Sequence, residues 1–289
     1  MVTSLPAKNY IHTILLLSLL LPFASFSKDV IYWQTYHRPP GIIKIGPEQG
    51  EGFVQKVLDL IIERMPEYVH KMPLASIGRA ILDMKAGKHV CHPALFITPE
   101  RKKFMVFSDA SMVNPSNRII AKQGVLDAYL KDGNVDFEAV LKSDLFTFAL
   151  VNERSYTESI DAIFEKYANA DKVQLISNTD LSSIFQLIHL NRVDLSILYP
   201  FELEYFLQHT AIPRESLVSY RINGVEPFNS GSIACPDNAW GKQVIKRVNA
   251  VLKEVKHTEE YRHAVTTWWR TEAATEAFSK YYHEVFLRH

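Results

Sequence analysis

The residues best suited to bind an ion lie in the turn between a predicted strand, 145–151, and a predicted helix. Ser155, followed three residues later by Glu158, is the pattern of a capping box that opens a helix. Free N–H groups at a helix start favour negative charge, and Arg154 adds a cation beside them. We therefore predict an anion site at Arg154 and Ser155, with Tyr156 placed to close over a bound group. Ser155 would also serve as the N-cap without any ligand.

Two further side chains stand where a parallel sheet presents ligand-binding groups. Trp33 ends the first predicted strand, where an indole forms either the wall of a cleft or an ordinary part of the core. Arg79 lies in the first turn of a predicted helix, where its charge opposes the helix dipole. That position suggests a ligand contact, although a solvent-exposed arginine is the favoured explanation.

The sequence carries no motif for covalent catalysis. It contains no Gly-x-Ser-x-Gly elbow, no His-Glu-x-x-His and no phosphate-binding loop, and its histidines are scattered. Cys91 and His92 are adjacent on a predicted strand, so their side chains should point to opposite faces and neither react together nor share a metal. We expect no enzymatic activity, no metal and no cofactor.

The composition describes a folded protein without a bulk charge. Of the 289 residues, 47% are hydrophobic and 22% are charged, which provides a large core and argues against disorder. The 32 Lys and Arg residues balance the 32 Asp and Glu residues. We therefore expect no nucleic-acid partner and no anionic membrane surface, and any charge recognition must be local.

Residues 1–27 have the pattern of a secretory signal peptide. A weakly basic region ends at Lys8, an apolar run covers 14–21, Pro22 breaks it, and small residues lead to a cleavage site near Ser27. The apolar run is too short to span a membrane. This predicts a soluble protein exported to the periplasm.

Cys91 and Cys235 are the two cysteines of the chain. In an oxidising compartment, two cysteines in one exported chain are a candidate disulfide. Two buried thiols are the alternative, and the residues alone leave both open.

The helices and strands that must position these residues alternate along the chain. The first set is a strand at 30–33, a helix opened by Gly52, a strand at 68–74, a helix ending at Gly87 and a strand at 89–96. A second set follows, and then come a short strand at 232–235, a long amphipathic helix and a helical tail. Apolar strands alternating with amphipathic helices are typical of a parallel α/β fold.

The order of elements and a few short motifs resemble the family 3 extracellular solute-binding proteins. The motifs are Thr98-Pro99-Glu100-Arg101 with Phe107-Ser108-Asp109 after the helix that ends at Gly87, together with Gly52 and Arg192-Val193-Asp194. The resemblance in the order of helices and strands covers nearly all of the mature chain. It implies an α/β, two-lobe type II periplasmic binding protein fold with a two-strand hinge.

The resemblance also implies a division of the chain. Lobe 1 would comprise 28–115, lobe 2 would comprise 116–230, and 231–289 would return to lobe 1. The hinge crossings would fall near 114–122 and near 231–234. A ligand would lie between the lobes, which agrees with the rule that open parallel sheets bind ligands at the carboxyl ends of their strands.

Within this family Arg101 matches the arginine that holds the carboxylate of an amino-acid ligand, a task that suits a planar guanidinium. A surface ion pair is its alternative. Amino-acid binders carry small hydroxyl residues just before this turn, where this chain has Ala94 and Phe96. The aspartate that binds the ligand's ammonium group falls on Tyr199. Glu202 would either substitute for it or be a charge at a helix start.

These departures predict an altered specificity. Without the aspartate, a zwitterionic amino acid would leave its ammonium group poorly paired in the closed cleft. We therefore expect an acidic or aromatic small molecule, bound by the seven candidate residues Trp33, Arg79, Arg101, Arg154, Ser155, Tyr156 and Tyr199.

The family topology also bears on the cysteines, because its returning strand would bring Cys235 beside Cys91. The function implied by the resemblance is ligand binding by hinge closure for ABC-type uptake. A sensor module for a membrane receptor is the alternative, and a periplasmic enzyme on the same scaffold is less favoured. We expect a monomer whose macromolecular partner would be a membrane permease or a receptor.

Overall fold

The computed structural model describes residues 28–177 and 181–288. The predicted signal peptide, 1–27, lies outside the described residues. Among the helices of the described part, none combines the length and the apolar character that crossing a membrane requires.

Strands and helices alternate along the chain as the sequence predicts. The described strands are β1 (Val30–Trp33), β2 (Val69–Lys71), β3 (Val90–Leu95), β4 (Met105–Pro115), β5 (Arg118–Lys122), β6 (Leu130–Lys131), β7 (Asn134–Val135), β8 (Phe148–Val151), β9 (Val173–Ile176), β10 (Leu195–Leu198), β11 (Leu217–Tyr220) and β12 (Phe228–Pro236). The described helices are α1 (Phe53–Ile62), α2 (Ile77–Lys85), α3 (Phe137–Ser143), α4 (Glu158–Tyr167), α5 (Ser182–His189), α6 (Pro200–Gln208), α7 (Ala239–Val255), α8 (Glu259–Thr266), α9 (Arg270–Ala273) and α10 (Glu276–Glu284).

Two five-stranded mixed sheets form the centres of two lobes. The sheet of lobe 1 has the order β2-β1-β3-β12-β4, and that of lobe 2 has the order β11-β5-β10-β8-β9. In lobe 1, β1 is parallel to β2 and β3, whereas β12 runs antiparallel between β3 and β4. In lobe 2, β10 is parallel to β8 and antiparallel to β5. The predicted two-lobe α/β fold is confirmed.

The two lobes are joined by two crossings that lie side by side. The outward crossing passes from β4, which ends at Pro115, to β5, which begins at Arg118. The return crossing ends at Phe228, which pairs with Pro115. The return was expected near 231–234, but those residues already belong to β12. The polar residues at the start of β12 pair with β4. This pairing is between segments distant in sequence, so the local sequence pattern did not predict that the strand begins at Phe228.

Local sequence explains how the first helices are fixed. Gly52 precedes α1, and a Cβ atom there would lie 2.4 Å from the backbone oxygen of Gly41, so a side chain is excluded. Ser76 caps α2 by accepting a hydrogen bond from the Arg79 backbone N–H at 3.3 Å. Gly87, with φ +73°, ends the turn after α2 in a left-handed conformation.

A disulfide joins Cys91 on β3 to Cys235 on β12, with 4.4 Å between their Cα atoms. The predicted pairing is confirmed. Cys91 is fully buried on one face of β3, and the side chain of His92 lines the cleft between the lobes. The bridge therefore fastens the returning strand to the strand that carries part of that cleft.

The C-terminal tail folds back onto lobe 1 as three short helices, α8 to α10. Trp269, Phe278 and Tyr282 from this tail are buried in the same core as α1 and α7. Trp268 is partly exposed, and its indole N–H donates to the backbone oxygen of Glu51 at 3.0 Å.

Candidate functional site

A cleft of about 520 Å³, including its open mouth, lies between the two lobes. Its walls come from the segments that follow β1 and β3 in lobe 1 and β8 and β10 in lobe 2. These are carboxyl ends of parallel strands, as expected for a ligand site in an open α/β sheet. The polar lining residues are Tyr36, Arg38, His92, Arg101, Asn114, Arg154, Ser155 and Tyr199.

Arg101 occupies the lobe 1 wall and bridges the lobes. Its backbone N–H donates to Thr98 Oγ1 at 3.2 Å, which fixes the predicted turn. Its guanidinium donates to the backbone oxygens of Phe96 and Glu153, both at 2.9 Å, and Glu153 belongs to lobe 2. The residue is only 7% exposed. Burial lowers the pKa of Arg101, against the opposing influence of Asp161 and Glu153.

Arg154 lies in the lobe 2 wall as half of a buried ion pair. Its guanidinium contacts both carboxylate oxygens of Glu202, at 3.1 and 3.4 Å, and Asn117 Oδ1 at 3.3 Å. The side chains of both partners are almost inaccessible, at 4% and 1% exposure. Burial alone would lower the pKa of Arg154, but Glu202 raises it above its ordinary value.

Glu202 is a helix-start charge that lies behind the lining of the cleft. Its Oε2 accepts from the Tyr199 backbone N–H at 2.9 Å, the reach-back of a capping box on α6. Arg38 approaches it from lobe 1 at 3.5 Å. Two arginines and a backbone donor already pair with this carboxylate. The hypothesis that Glu202 accepts the ammonium group of a ligand therefore loses its support.

Tyr199 stands between two guanidinium groups. Arg154 lies 5.0 Å and Arg38 lies 5.9 Å from its ring centroid, which are cation–π distances. Burial raises the pKa of Tyr199 in spite of these cations. Tyr156 is packed behind the cleft, where its hydroxyl accepts from the Val151 N–H at 3.0 Å. It supports the end of β8 and does not line the cleft.

Ser155 lines the cleft, but its expected capping role is wrong. The helix α4 begins at Glu158, after Thr157. The Ser155 hydroxyl donates to the carboxylate of Asp161, and the Tyr156 N–H donates to the same carboxylate at 2.8 Å. In a capping box the Ser155 oxygen would accept from a backbone N–H of the helix. Here the hydroxyl donates to Asp161 instead, so a carboxylate one turn into the helix holds the turn.

Trp33 and Arg79 do not reach the cleft. Trp33 is fully buried in the core of lobe 1, and its indole N–H donates to His70 Nδ1 at 3.0 Å. Arg79 is exposed and pairs with Asp83 at 2.9 Å. Although burial opposes it, the pKa of Asp83 falls to about 2 because Lys88, Gln34 and Arg79 donate to it. Both residues have the structural roles that the sequence offered as alternatives to ligand contact.

Four polar cleft residues were missed by the sequence prediction: Tyr36, Arg38, His92 and Asn114. His92 accepts the Ala94 backbone N–H on Nδ1 at 3.2 Å. Burial, together with Arg38 and Arg101, lowers the pKa of His92 to about 3. Strand alternation was the available signal, because Ala94 and His92 are two residues apart and share a face. The loop that carries Tyr36 and Arg38 offers no such pattern.

Polar atoms on these four side chains are buried and lack hydrogen-bond partners among the described residues. They are Tyr36 Oη, Arg38 Nε, His92 Nε2 and Asn114 Oδ1. Buried polar groups normally have hydrogen-bond partners. Four such atoms without a partner in one cleft therefore indicate a binding site for a polar ligand. Within the described part of the chain, no three His, Cys, Asp or Glu side chains are arranged to hold a metal ion.

No family model matches the chain, and no curated protein matches it in sequence. Among the solved structures that match it in fold are three binding or sensor proteins. An ancestral arginine-binding protein bound to glutamine has TM-score 0.65 and 20% identity, with 84% of this chain and 99% of that chain covered. A histidine kinase sensor domain with similarity to periplasmic binding proteins has TM-score 0.66 and 12% identity, with 84% and 96% covered.

The third match is the substrate-binding protein of an amino acid ABC transporter, with TM-score 0.62 and 21% identity, covering 83% of this chain and 99% of that chain. These structures are binding proteins and a sensor domain. At such identities the similarity concerns the fold, which agrees in both lobes with the sheets described above. The chain therefore has the two-lobe type II periplasmic binding protein fold and resembles, in structure, the substrate-binding proteins of amino acid ABC transporters.

Proposed function

We propose that the protein is an exported solute-binding protein whose two lobes close on a small acidic ligand. One observation carries the proposal: the charged side chains among the described lining residues of the cleft are the three arginines Arg38, Arg101 and Arg154. Glu202 and Asp161 lie behind this lining and offset part of the charge. An anion entering the cleft would meet fixed donors in a site shielded from water, where such contacts are strong.

The lining also favours a ligand with an apolar or aromatic part. Ala94 and Phe96 stand where amino-acid binders carry hydroxyl groups, and the Tyr199 ring faces the same space. No free carboxylate among the described lining residues would pair with an ammonium group. These features support an acidic, non-zwitterionic ligand over a standard amino acid.

Hinge closure is the mechanism that fits this site. The cleft is complete only when both lobes contribute, because Arg38 and Arg101 come from lobe 1 and Arg154 and Tyr199 from lobe 2. A ligand that contacts both walls binds the closed form better than the open form and shifts the population toward it. No step of this mechanism makes or breaks a covalent bond.

The Arg101→Ala variant tests the proposal. The ligand is first sought by thermal-shift screening of the mature protein with mono- and dicarboxylates, phosphate, aromatic acids, amino acids and short peptides. For the tightest acid found, we expect Arg101→Ala to weaken binding by about tenfold or more, since a charge-assisted contact and a lobe bridge are both lost. Isothermal titration calorimetry measures the affinity.

Arg79→Ala is the matched control, because it removes an arginine of the same lobe that lies outside the cleft. Its affinity should equal that of the wild type, and circular dichroism should show both variants folded. An Arg101→Ala protein that binds as tightly as the wild type would refute the role assigned to Arg101. If no acid in the panel binds the wild type, the proposed function fails.

Delivery of the ligand to an ABC-type permease is the partner role that we propose, with sensing for a membrane receptor as the alternative. The fold similarity to a histidine kinase sensor domain supports the alternative. Deleting the gene in the source organism separates them. Loss of uptake of the radiolabelled ligand supports transport, whereas intact uptake with a lost transcriptional response supports sensing.

A further inference from the structure

Three hydrogen-bond donors without partners converge on the cleft from lobe 1. They are Tyr36 Oη, Arg38 Nε and His92 Nε2, all buried and all without a partner among the described residues. Tyr36 and Arg38 follow β1, His92 lies on β3, and these two strands are neighbours in the sheet. Two elements thus bring unpaired donors to one wall.

The tautomer of His92 makes its Nε2 a donor. Nδ1 accepts a hydrogen bond from the Ala94 backbone N–H and therefore carries no proton. The ring is neutral near pH 7, because burial with Arg38 and Arg101 lowers its pKa to about 3. A neutral imidazole with an unprotonated Nδ1 carries its hydrogen on Nε2. The wall therefore presents a phenol O–H, a guanidinium N–H and an imidazole N–H.

A donor cluster without an acceptor is the complement of an oxyanion. Each buried donor without a partner destabilises the protein, so three of them in one wall need an external acceptor to be satisfied. A carboxylate has two oxygens with about four acceptor positions, and it can accept all three donors. The nearby Asn114 adds an unpaired Oδ1, which can accept from a hydroxyl or protonated acid on the same ligand.

The turn after β3 brings the donors of Arg101 to the same cleft. The guanidinium of Arg101 already donates to the backbone oxygens of Phe96 and Glu153 and retains further N–H groups for a ligand. Arg38, itself one of the three donors, lies 5.9 Å from the ring centroids of both Tyr36 and Tyr199, so the donor wall reaches toward lobe 2. Two anion-holding groups of donors therefore face one cleft.

Resting on the proposed function, we infer that Tyr36, Arg38 and His92 form a second oxyanion subsite, so that the ligand carries two acidic groups. The chemical class is a small molecule with two oxyanion groups, either a dicarboxylate or a carboxylate that also bears a phosphonate or phosphate. The second subsite distinguishes such a ligand from a monocarboxylate of the same length.

Paired ligands test the second subsite. The mature protein is titrated by calorimetry with dicarboxylates of two to six carbons, with phosphonocarboxylates of similar length, and with monocarboxylates of the same chain length. We expect the best dianionic ligand to bind at least tenfold more tightly than its monocarboxylate partner. Which dianionic series binds better identifies the second group.

Protein variants locate the discrimination in the donor wall. Tyr36→Phe and His92→Phe should weaken the dianionic ligand five- to tenfold while leaving the monocarboxylate within twofold. Because the Tyr36 hydroxyl has no partner among the described residues, Tyr36→Phe should leave the melting temperature of the unliganded protein unchanged or raise it. Tyr32→Phe, which removes a hydroxyl from β1 outside the cleft, should change neither affinity.

The outcomes separate this inference from the proposed function. If monocarboxylates and dianionic ligands bind equally and Arg101→Ala weakens both, the second subsite is refuted and the acid-binding function stands. Equal loss of both ligand classes in Tyr36→Phe would likewise refute a separate subsite. If no acid of either class binds the wild type, the proposed function fails and the inference fails with it.

Discussion

Burial and two neighbouring cations determine how the cleft histidine titrates. His92 is 2% exposed and is flanked by Arg38 from the loop after β1 and by Arg101 from the turn after β3, which hold its pKa at about 3. In an unfolded chain the pKa of a histidine is about 6.5. Between these values the unfolded state binds one more proton than the folded state, so stability falls as the pH drops from about 6.5 toward 3.

His92→Asn tests this linkage. The amide oxygen of asparagine can still accept the Ala94 N–H, but the side chain does not titrate. Between pH 7.5 and pH 5 we expect the wild type to lose about 2 kcal/mol more of its free energy of unfolding than the variant. Urea denaturation at the two pH values measures both losses. Equal losses in the two proteins would show that His92 does not remain neutral in the folded state.

The sequence predicted the cleft residues that follow lobe 2 strands better than those of lobe 1. Arg154 and Ser155 were found because a strand end and a helix start leave clear patterns, and Tyr199 was found from the position that the family resemblance gives it. Arg38 was missed because a loop residue has no periodicity, and its approach to Glu202 depends on how the two lobes meet. Trp33 was assigned to the cleft but lies in the core. An aromatic residue at a strand end gives the same sequence pattern in both environments.

At the scale of elements, the strand β12 incorporates the returning chain into the sheet of lobe 1. It lies antiparallel between β3 and β4, and the disulfide from Cys91 to Cys235 fastens it across a sequence separation of 144 residues. A cross-link over so long a loop restricts the unfolded chain strongly in the chain-entropy account. The bridge should therefore contribute more to stability than to the shape of the cleft.

The double variant Cys91→Ala/Cys235→Ala tests this contribution. We expect the free energy of unfolding to fall by about 3 to 5 kcal/mol, measured by urea denaturation. Removing both sulfurs avoids a buried free thiol. Affinity for the acid identified by screening should change by less than threefold, because both cysteines lie outside the cleft. An unchanged unfolding midpoint would contradict the stabilising role.

The boundaries of two elements, β4 and α4, could not be predicted from local sequence. The strand β4 reaches Pro115, well beyond the Phe107-Ser108-Asp109 motif, because its later residues pair with β12. The N-cap of α4 was misplaced by two residues, at Ser155 instead of Thr157, because the Ser155 hydroxyl is bound by Asp161. In both cases a partner that is distant in sequence, or one turn further on, determined the local structure.

At the scale of the whole molecule, contacts across the cleft determine the balance between open and closed forms. The lobes meet through Arg101 and the Glu153 backbone oxygen inside the cleft. At the rim, the Tyr205 hydroxyl of α6 donates to Glu48 Oε2 at 2.8 Å, and His209 Nε2 lies 3.2 Å from the same oxygen. The rim contacts involve no residue that lines the cleft, so they can favour closure without a ligand.

Glu48→Ala tests the rim contact. Losing partly exposed contacts of this kind costs the closed form about 1 kcal/mol, which raises the ratio of open to closed molecules about fivefold. We expect a larger radius of gyration in small-angle X-ray scattering without ligand and a lower apparent affinity for the screened acid, since part of the binding free energy must then close the lobes. Glu51→Ala is the control, because Glu51 pairs with Lys56 at 2.9 Å within lobe 1. If both variants scatter like the wild type, the rim contact has no influence on closure, and the other contacts between the lobes must account for the closed form.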